Sequence, residues 1–163
     1  MISRNPKATG RRDSGLARPA DVTIRRIAGS DLDSVRHLVA GVVDEVYGTL
    51  FPEGIPEDHT DWTEALVAVL EGVIIGVVLT SDDTIDDLWV SADHRRRGVG
   101  GVLLASAESE IQQRRYRLAR LRVIADNMTA RRFYAAYRWS EAETYPHERW
   151  GFSMINMTKD LTQ

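Results

Sequence analysis

The chain contains no cysteine. That excludes disulfides, thiolate zinc sites and a cysteine nucleophile, and it agrees with a reducing, cytoplasmic setting. No apolar run approaches the ~20 residues that a membrane-spanning helix needs, so no membrane partner is expected. The first 21 residues lack the apolar core of a secretory leader. His37, His59 and His94 are scattered without ligand spacing, so no metal site is expected. One further absence is regional. Residues 37–94 contain 13 acidic side chains and not one Lys or Arg.

The missing cations are concentrated elsewhere. Residues 95–138 carry 11 arginines against Glu108, Glu110 and Asp126, and residues 1–20 carry five basic side chains against Asp13. The net charge is only −3, so the segregation is hidden in the total. Charge in blocks creates an oriented field, with a polyanion favoured over the basic half and a cation over the acidic half. Residues 1–20, rich in Arg, Gly, Ser and Pro, read as a disordered basic tail. The remaining 21–163 are enough for one domain with a substantial core.

Hydrophobic periodicity divides that domain into elements. Alternation predicts a strand over residues 22–26. Ser30 is the expected cap of a helix whose apolar positions run Val35, Leu38, Val39, Val42, Val43 and Val46, with Asp33 completing a variant capping box. A loop marked by Pro52, Gly54 and Pro56 follows, with a short helix expected around 58–63. Strands at 65–70, 73–80 and 84–90, joined by the tight turns Glu71-Gly72 and 81–83, form a β-meander. A helix is expected from about 98 to 115, a strand at 118–124, a second helix at 129–137, and final strands near 141–145 and 152–159. The fold class is therefore α/β, with a mixed, mostly antiparallel sheet flanked by helices.

The chemistry is concentrated after the third meander strand, in Leu88-Trp89-Val90-Ser91-Ala92-Asp93-His94-Arg95-Arg96-Arg97-Gly98-Val99-Gly100-Gly101. A strand ends and a helix begins on glycines. The first N–H groups of a helix lack intrahelical acceptors, and its dipole leaves about half a positive charge there. Gly98, Gly100 and Gly101 carry no Cβ, which lets a phosphate approach the backbone. Leu103 stands where a dinucleotide fingerprint needs its third glycine, and no Gly-Lys-Ser or Gly-Lys-Thr of an NTP loop is present.

What remains, Arg95-x-x-Gly98-x-Gly100, resembles the acetyl-CoA signature of the GNAT superfamily of N-acetyltransferases. The downstream run Asp126-Asn127-x-x-Ala130-x-x-Phe133-Tyr134 is similar to a second element of that family, and the resemblance extends over about residues 22–161. It implies that Arg95, Arg96, Arg97, Gly98, Val99, Gly100 and Gly101 hold the pyrophosphate of acetyl-CoA, the co-substrate, chiefly through backbone N–H groups. It implies that Leu88, Trp89 and Val90 pair with the pantetheine arm, that an N–H near Val90 stabilises the oxyanion, and that Asn127 bonds the arm. Tyr134 is the implied general acid: a phenol of pKa about 10 can protonate a departing thiolate, whose thiol has a pKa of about 8.5.

Two departures from the family pattern stand out. Arg138 replaces a glycine that usually lets the chain leave the second helix, and Arg122 stands where peptide-acetylating relatives can carry a glutamate base. Asp86 and Asp87 are the candidate bases or amine-binding groups, and period-2 geometry gives them opposite facings. Glu45, Tyr47 and the acidic 53–64 loop are candidate acceptor-site walls, with His147, Arg149 and Trp150 between the last strands. The expected reaction is direct attack of a primary amine, borne by a cationic small molecule, on the thioester in a ternary complex. Protein amines as acceptors, and a non-catalytic acyl-CoA-binding module, are the alternatives. No nucleic-acid partner is expected, and the chain is expected to be a monomer or a homodimer.

Overall fold

The computed structural model describes residues 21–162. The basic segment 1–20, and with it the expected disordered tail, lies outside them. Seven strands form one sheet: β1 (Thr23–Arg26), β2 (Leu66–Leu70), β3 (Val73–Ser81), β4 (Thr84–Val90), β5 (Leu118–Ile124), β6 (Ser140–Pro146) and β7 (Ser153–Asp160). Their order is β1-β2-β3-β4-β5-β7-β6, and every neighbouring pair is antiparallel except β4 with β5. The expected mixed sheet is borne out. Three helices flank it: α1 (Leu32–Tyr47), α2 (Val99–Gln113) and α3 (Met128–Ala136).

Two cores sit on opposite faces. α2 buries Leu103, Leu104, Ala107 and Ile111 against Ile75, Ile85, Leu121 and Met157. α1 buries Val35 and Val39 against Trp62, Val67 and Val77. Two local expectations are corrected. Ser30 does not cap α1; it lies within a 3-10 turn (Gly29–Asp31), and the Asp31 carboxylate accepts the Ala28 N–H at 2.7 Å instead. Nor is there a helix at 58–63. The Asp58 carboxylate accepts the Thr60 N–H at 2.9 Å and the buried Trp62 indole N–H at 3.1 Å, side-chain bonds that compete with helical ones.

The feature that makes a cleft is a β-bulge. Thr80 pairs with Ile85 and Leu79 with Asp87, so Asp86 has no partner on β3. An extra residue bends its strand and strengthens the local twist. Before the bulge β4 pairs with β5 at Thr84↔Arg120 and Ile85↔Leu121; beyond it no β4–β5 pair forms. The two strands splay apart toward their C-terminal ends, the position at which parallel strands of α/β sheets receive ligands.

Candidate active site

Backbone parity decides what β4 presents to the splay. The Ser91 N–H donates to the Ile75 carbonyl at 3.0 Å, and Gly76 pairs with Val90. Antiparallel pairs alternate, so Trp89 and Asp87 turn their backbone groups to β3, while Leu88 and Val90 turn theirs toward the missing β5. Of the three residues expected to pair with the pantetheine arm, Leu88 and Val90 present a backbone edge. Trp89 contributes its ring, which packs on the α1 face.

The loop after β4 forms a cradle of donors. Arg96 (φ +55°) and Gly98 (φ +83°) adopt left-handed backbone, and Gly98 leads into α2. Left-handed residues within a turn point successive N–H groups into one concavity, a nest for anions. The first bond into α2 is Val102 N–H to Gly98 carbonyl at 3.1 Å. Among the described residues, no acceptor is paired with the N–H groups of Arg96, Arg97, Gly98, Val99, Gly100 or Gly101. These six donors fit a pyrophosphate. His94 shapes the preceding turn through a 2.7 Å contact of its Nδ1 with the Ser91 hydroxyl.

The two inner glycines also answer to packing. A Cβ on Gly100 would lie 3.2 Å from the Phe133 ring, and one on Gly101 would lie 2.0 Å from the Tyr137 hydroxyl. The rings come from α3 and from the residue that caps its end, so the absence of side chains here lets α3 close on the first turn of α2.

Arg95, expected with the cofactor group, is turned to another use. Its Nε donates to the Val90 carbonyl at 3.1 Å, and its two terminal nitrogens grip the Glu45 carboxylate at 2.8 Å each. Asn127 caps α3, its Oδ1 accepting the Ala130 N–H at 3.0 Å, and donates from Nδ2 to the Tyr47 hydroxyl at 2.8 Å. Tyr47 in turn meets Trp89 edge to face at 6.1 Å, and the Trp89 indole donates to Asp87 at 2.9 Å. Burial pushes the Tyr47 hydroxyl up, against the pull of its Asn127 partner. The chain Asn127–Tyr47–Trp89–Asp87 therefore spans the splay from α3 to β4.

Tyr134 lies at 8% exposure, within electrostatic reach of Tyr47 and Asp87. No partner holds its hydroxyl, and among the described residues no side-chain nitrogen or oxygen is both buried and unpartnered. The accessible remnant of Tyr134 therefore includes its oxygen. Burial, with the fields of Tyr47 and Asp87, raises its pKa well above the ordinary 10, so it stays protonated throughout the neutral range. Its backbone is fixed by a Schellman turn. Trp139 N–H returns to the Tyr134 carbonyl at 3.1 Å, Arg138 N–H to the Ala135 carbonyl at 3.0 Å, and Arg138 takes φ +66°. The Trp139 ring then packs on Tyr134 at 6.0 Å. The chain leaves the helix here in left-handed backbone despite carrying arginine instead of glycine.

The two aspartates differ in burial. Asp86, on the bulge, is exposed. Asp87 is half-buried; burial raises its pKa and the charges of Asp58 and Asp86 add to the rise, against the Trp89 donor and the Arg122 cation. At the same end of the sheet, Phe51 meets Trp150 at 5.1 Å and Phe152 at 6.1 Å, His147 meets Phe152 at 5.0 Å, and Arg149 lies 4.6 Å over the Trp150 ring. Phe51 and Phe152 escaped the sequence reading, because nothing local links a residue after α1 with one a hundred positions on. Among the described residues no cluster of His, Asp or Glu is placed to hold a metal ion, and no helix is long and apolar enough to cross a membrane.

The profile of the Acetyltransferase (GNAT) domain matches residues 52–161. The chain belongs to the GNAT acetyltransferases. This GNAT protein is an N-acetyltransferase whose acyl donor is acetyl-CoA. No curated protein matches its sequence. Among solved structures it is similar to Ard1 from Thermoplasma volcanium, at TM-score 0.71 and 24% identity over 88% of this chain and 99% of that one. It is similar to yncA from Salmonella typhimurium, solved with its cofactor acetyl-CoA, at TM-score 0.69 and 18% identity over 87% and 95%. Nourseothricin acetyltransferase gives TM-score 0.68 and 19% identity over 86% and 99%. At such identities these likenesses speak to the fold of the GNAT chain and leave its acceptor open.

Proposed function

We propose that this acetyltransferase acetylates a primary amine on a cationic small molecule, by direct attack in a ternary complex. The observation that carries the reading is the half-buried Asp87 carboxylate, held beside Trp89 and Tyr47 within electrostatic reach of Tyr134. Acetyl-CoA supplies the activated acyl group. The N–H groups of residues 96–101 bind its pyrophosphate, and the backbone edges of Leu88 and Val90 orient its arm, with the Val90 N–H directed at the developing oxyanion.

An alkylammonium of pKa about 10.4 is protonated at neutral pH and must lose a proton before it attacks. Asp87 draws the cation into the splay and accepts that proton at its carboxylate, either directly or through one water. Its raised pKa makes it a better base than an ordinary aspartate. Tyr134 Oη delivers a proton to the departing sulfur. The rings of Phe51 and Trp150 give the acceptor an apolar wall, with the Arg149 guanidinium stacked 4.6 Å over Trp150.

The test is thiol release from acetyl-CoA against a panel of polyamines, aminoglycosides, lysine peptides and free peptide N-termini. The reading requires turnover on the small cations and a fall of about 10²–10⁴-fold in kcat for Tyr134→Phe, with CoA affinity kept. Because the Tyr134 hydroxyl has no partner, the variant should melt like the parent. Turnover confined to peptides would replace the acceptor assignment, and undiminished kcat in Tyr134→Phe would remove the proposed acid.

A further inference from the structure

The last turn of α1 is held from both sides of the cleft. Arg95, in the loop before α2, takes Glu45 with a two-pronged grip and binds the Val90 carbonyl with its remaining nitrogen, Nε. Asn127, at the start of α3, takes the hydroxyl of Tyr47, two residues along the same turn. Both contacts join segments far apart in sequence, and Arg95–Glu45 staples the acidic block to the basic one. A planar guanidinium matched to a carboxylate fixes direction as well as distance. With its charge balanced by Glu45, Arg95 has less pull on a phosphate than a free arginine.

We propose that Arg95 and Glu45 are positioning residues: the pair sets the end of α1, and thereby the acceptor wall of Tyr47, Trp89 and Asp87, against the cofactor loop. Arg95 thus serves the second substrate from within the signature of the first. The pyrophosphate cradle is built from backbone N–H groups and does not need the Arg95 side chain. Tyr47 does need the end of α1 held, because its hydroxyl and its ring must meet Asn127 and Trp89 together. The catalytic part of this inference rests on the acceptor site proposed above; the strut itself is a property of the chain without ligands.

The experiment compares Glu45→Gln, Arg95→Gln and the double variant in three measurements: CoA dissociation constant, kcat and KM for the amine, and amide exchange over residues 42–48 in the ligand-free chain. Each single variant should speed exchange in that turn and raise the acceptor KM about three- to tenfold, and the double variant should be no worse than the poorer single one. CoA affinity should stay within about twofold in all three, since neither side chain is a phosphate ligand. A CoA affinity that collapses in Arg95→Gln but not in Glu45→Gln would make Arg95 a phosphate ligand and overturn the proposal. So would additive losses, or unchanged exchange. If the parent binds CoA but acetylates no amine, the acceptor reading fails, while the exchange data still decide whether the strut exists.

Discussion

Replacing Arg138 by glycine should make the protein more stable. Arg138 sits at φ +66° in the turn that ends α3, a region where a Cβ crowds the backbone and glycine does not. The cost of a non-glycine residue there is of the order of 1 kcal/mol after allowing for the greater freedom glycine loses on folding. Unfolding about 140 ordered residues gains about 2.1 cal/mol/K each, or about 0.3 kcal/mol/K in all, so the expected rise in Tm is about 3 °C. Calorimetry on the parent, Arg138→Gly and Arg138→Ala decides it. The alanine variant removes the same charge from a basic neighbourhood but keeps the Cβ, so it should gain little. If alanine gains as much as glycine, charge repulsion and not backbone geometry is responsible. If glycine lowers Tm, the reasoning fails. Turnover should be unchanged, because both turn bonds around Arg138 are backbone bonds and Trp139 still packs on Tyr134.

Asp87→Asn should raise stability at pH 7 while lowering turnover. A carboxyl whose folded pKa is raised above the unfolded value stabilises the fold when protonated, and that contribution is lost as pH rises through the folded value; the amide cannot ionise, so its advantage over the parent should vanish below about pH 4. Melting curves across pH 3–8 check the sign. Glu108→Ala should lower stability by about 2–3 kcal/mol in denaturant titration, because Lys159 and the Trp139 indole both depend on that carboxylate and the ammonium would be left partly buried and unpaired. Gly100→Ala should weaken CoA binding measured by titration and slow turnover, since a methyl group there pushes on Phe133, which is wedged at 5.1 Å between Tyr134 and Tyr137.

Much of the fold was legible because short-range signals agreed. The Glu71-Gly72 turn placed the first corner of the meander, with Leu70 opposite Val73, and the alternation of Arg120 and Arg122 with Leu121 and Val123 marked β5. Where local signals competed, reading failed: Ser30 and Asp31 are both good caps, and Asp58 offers side-chain bonds in place of helical ones. The loop of unpaired N–H groups at residues 96–101 and Tyr134 could be named as candidates because their spacing is local to one loop and one helix. What was not legible came from pairing across the chain. Glu45 and Arg95 lie 50 residues apart, Asn127 and Tyr47 lie 80 apart, and neither charge nor polarity says which partner each will choose. Period-two alternation assigned Asp86 and Asp87 opposite facings, but the bulge at Asp86 interrupts that alternation, and a period of two contains no sign of an extra residue.

That extra residue has a consequence for how the pocket of this chain can be lost or remade. The cleft is not carved by large side chains; it is recorded as a difference of one in the residue count between β3 and β4. Deleting Asp86 alone would let β4 run on in register, and its edge at Leu88 and Val90 would have β5 to meet in place of a ligand. A point change elsewhere in the site adjusts a rate, whereas a single-codon deletion here would convert an enzyme into an ordinary closed sheet.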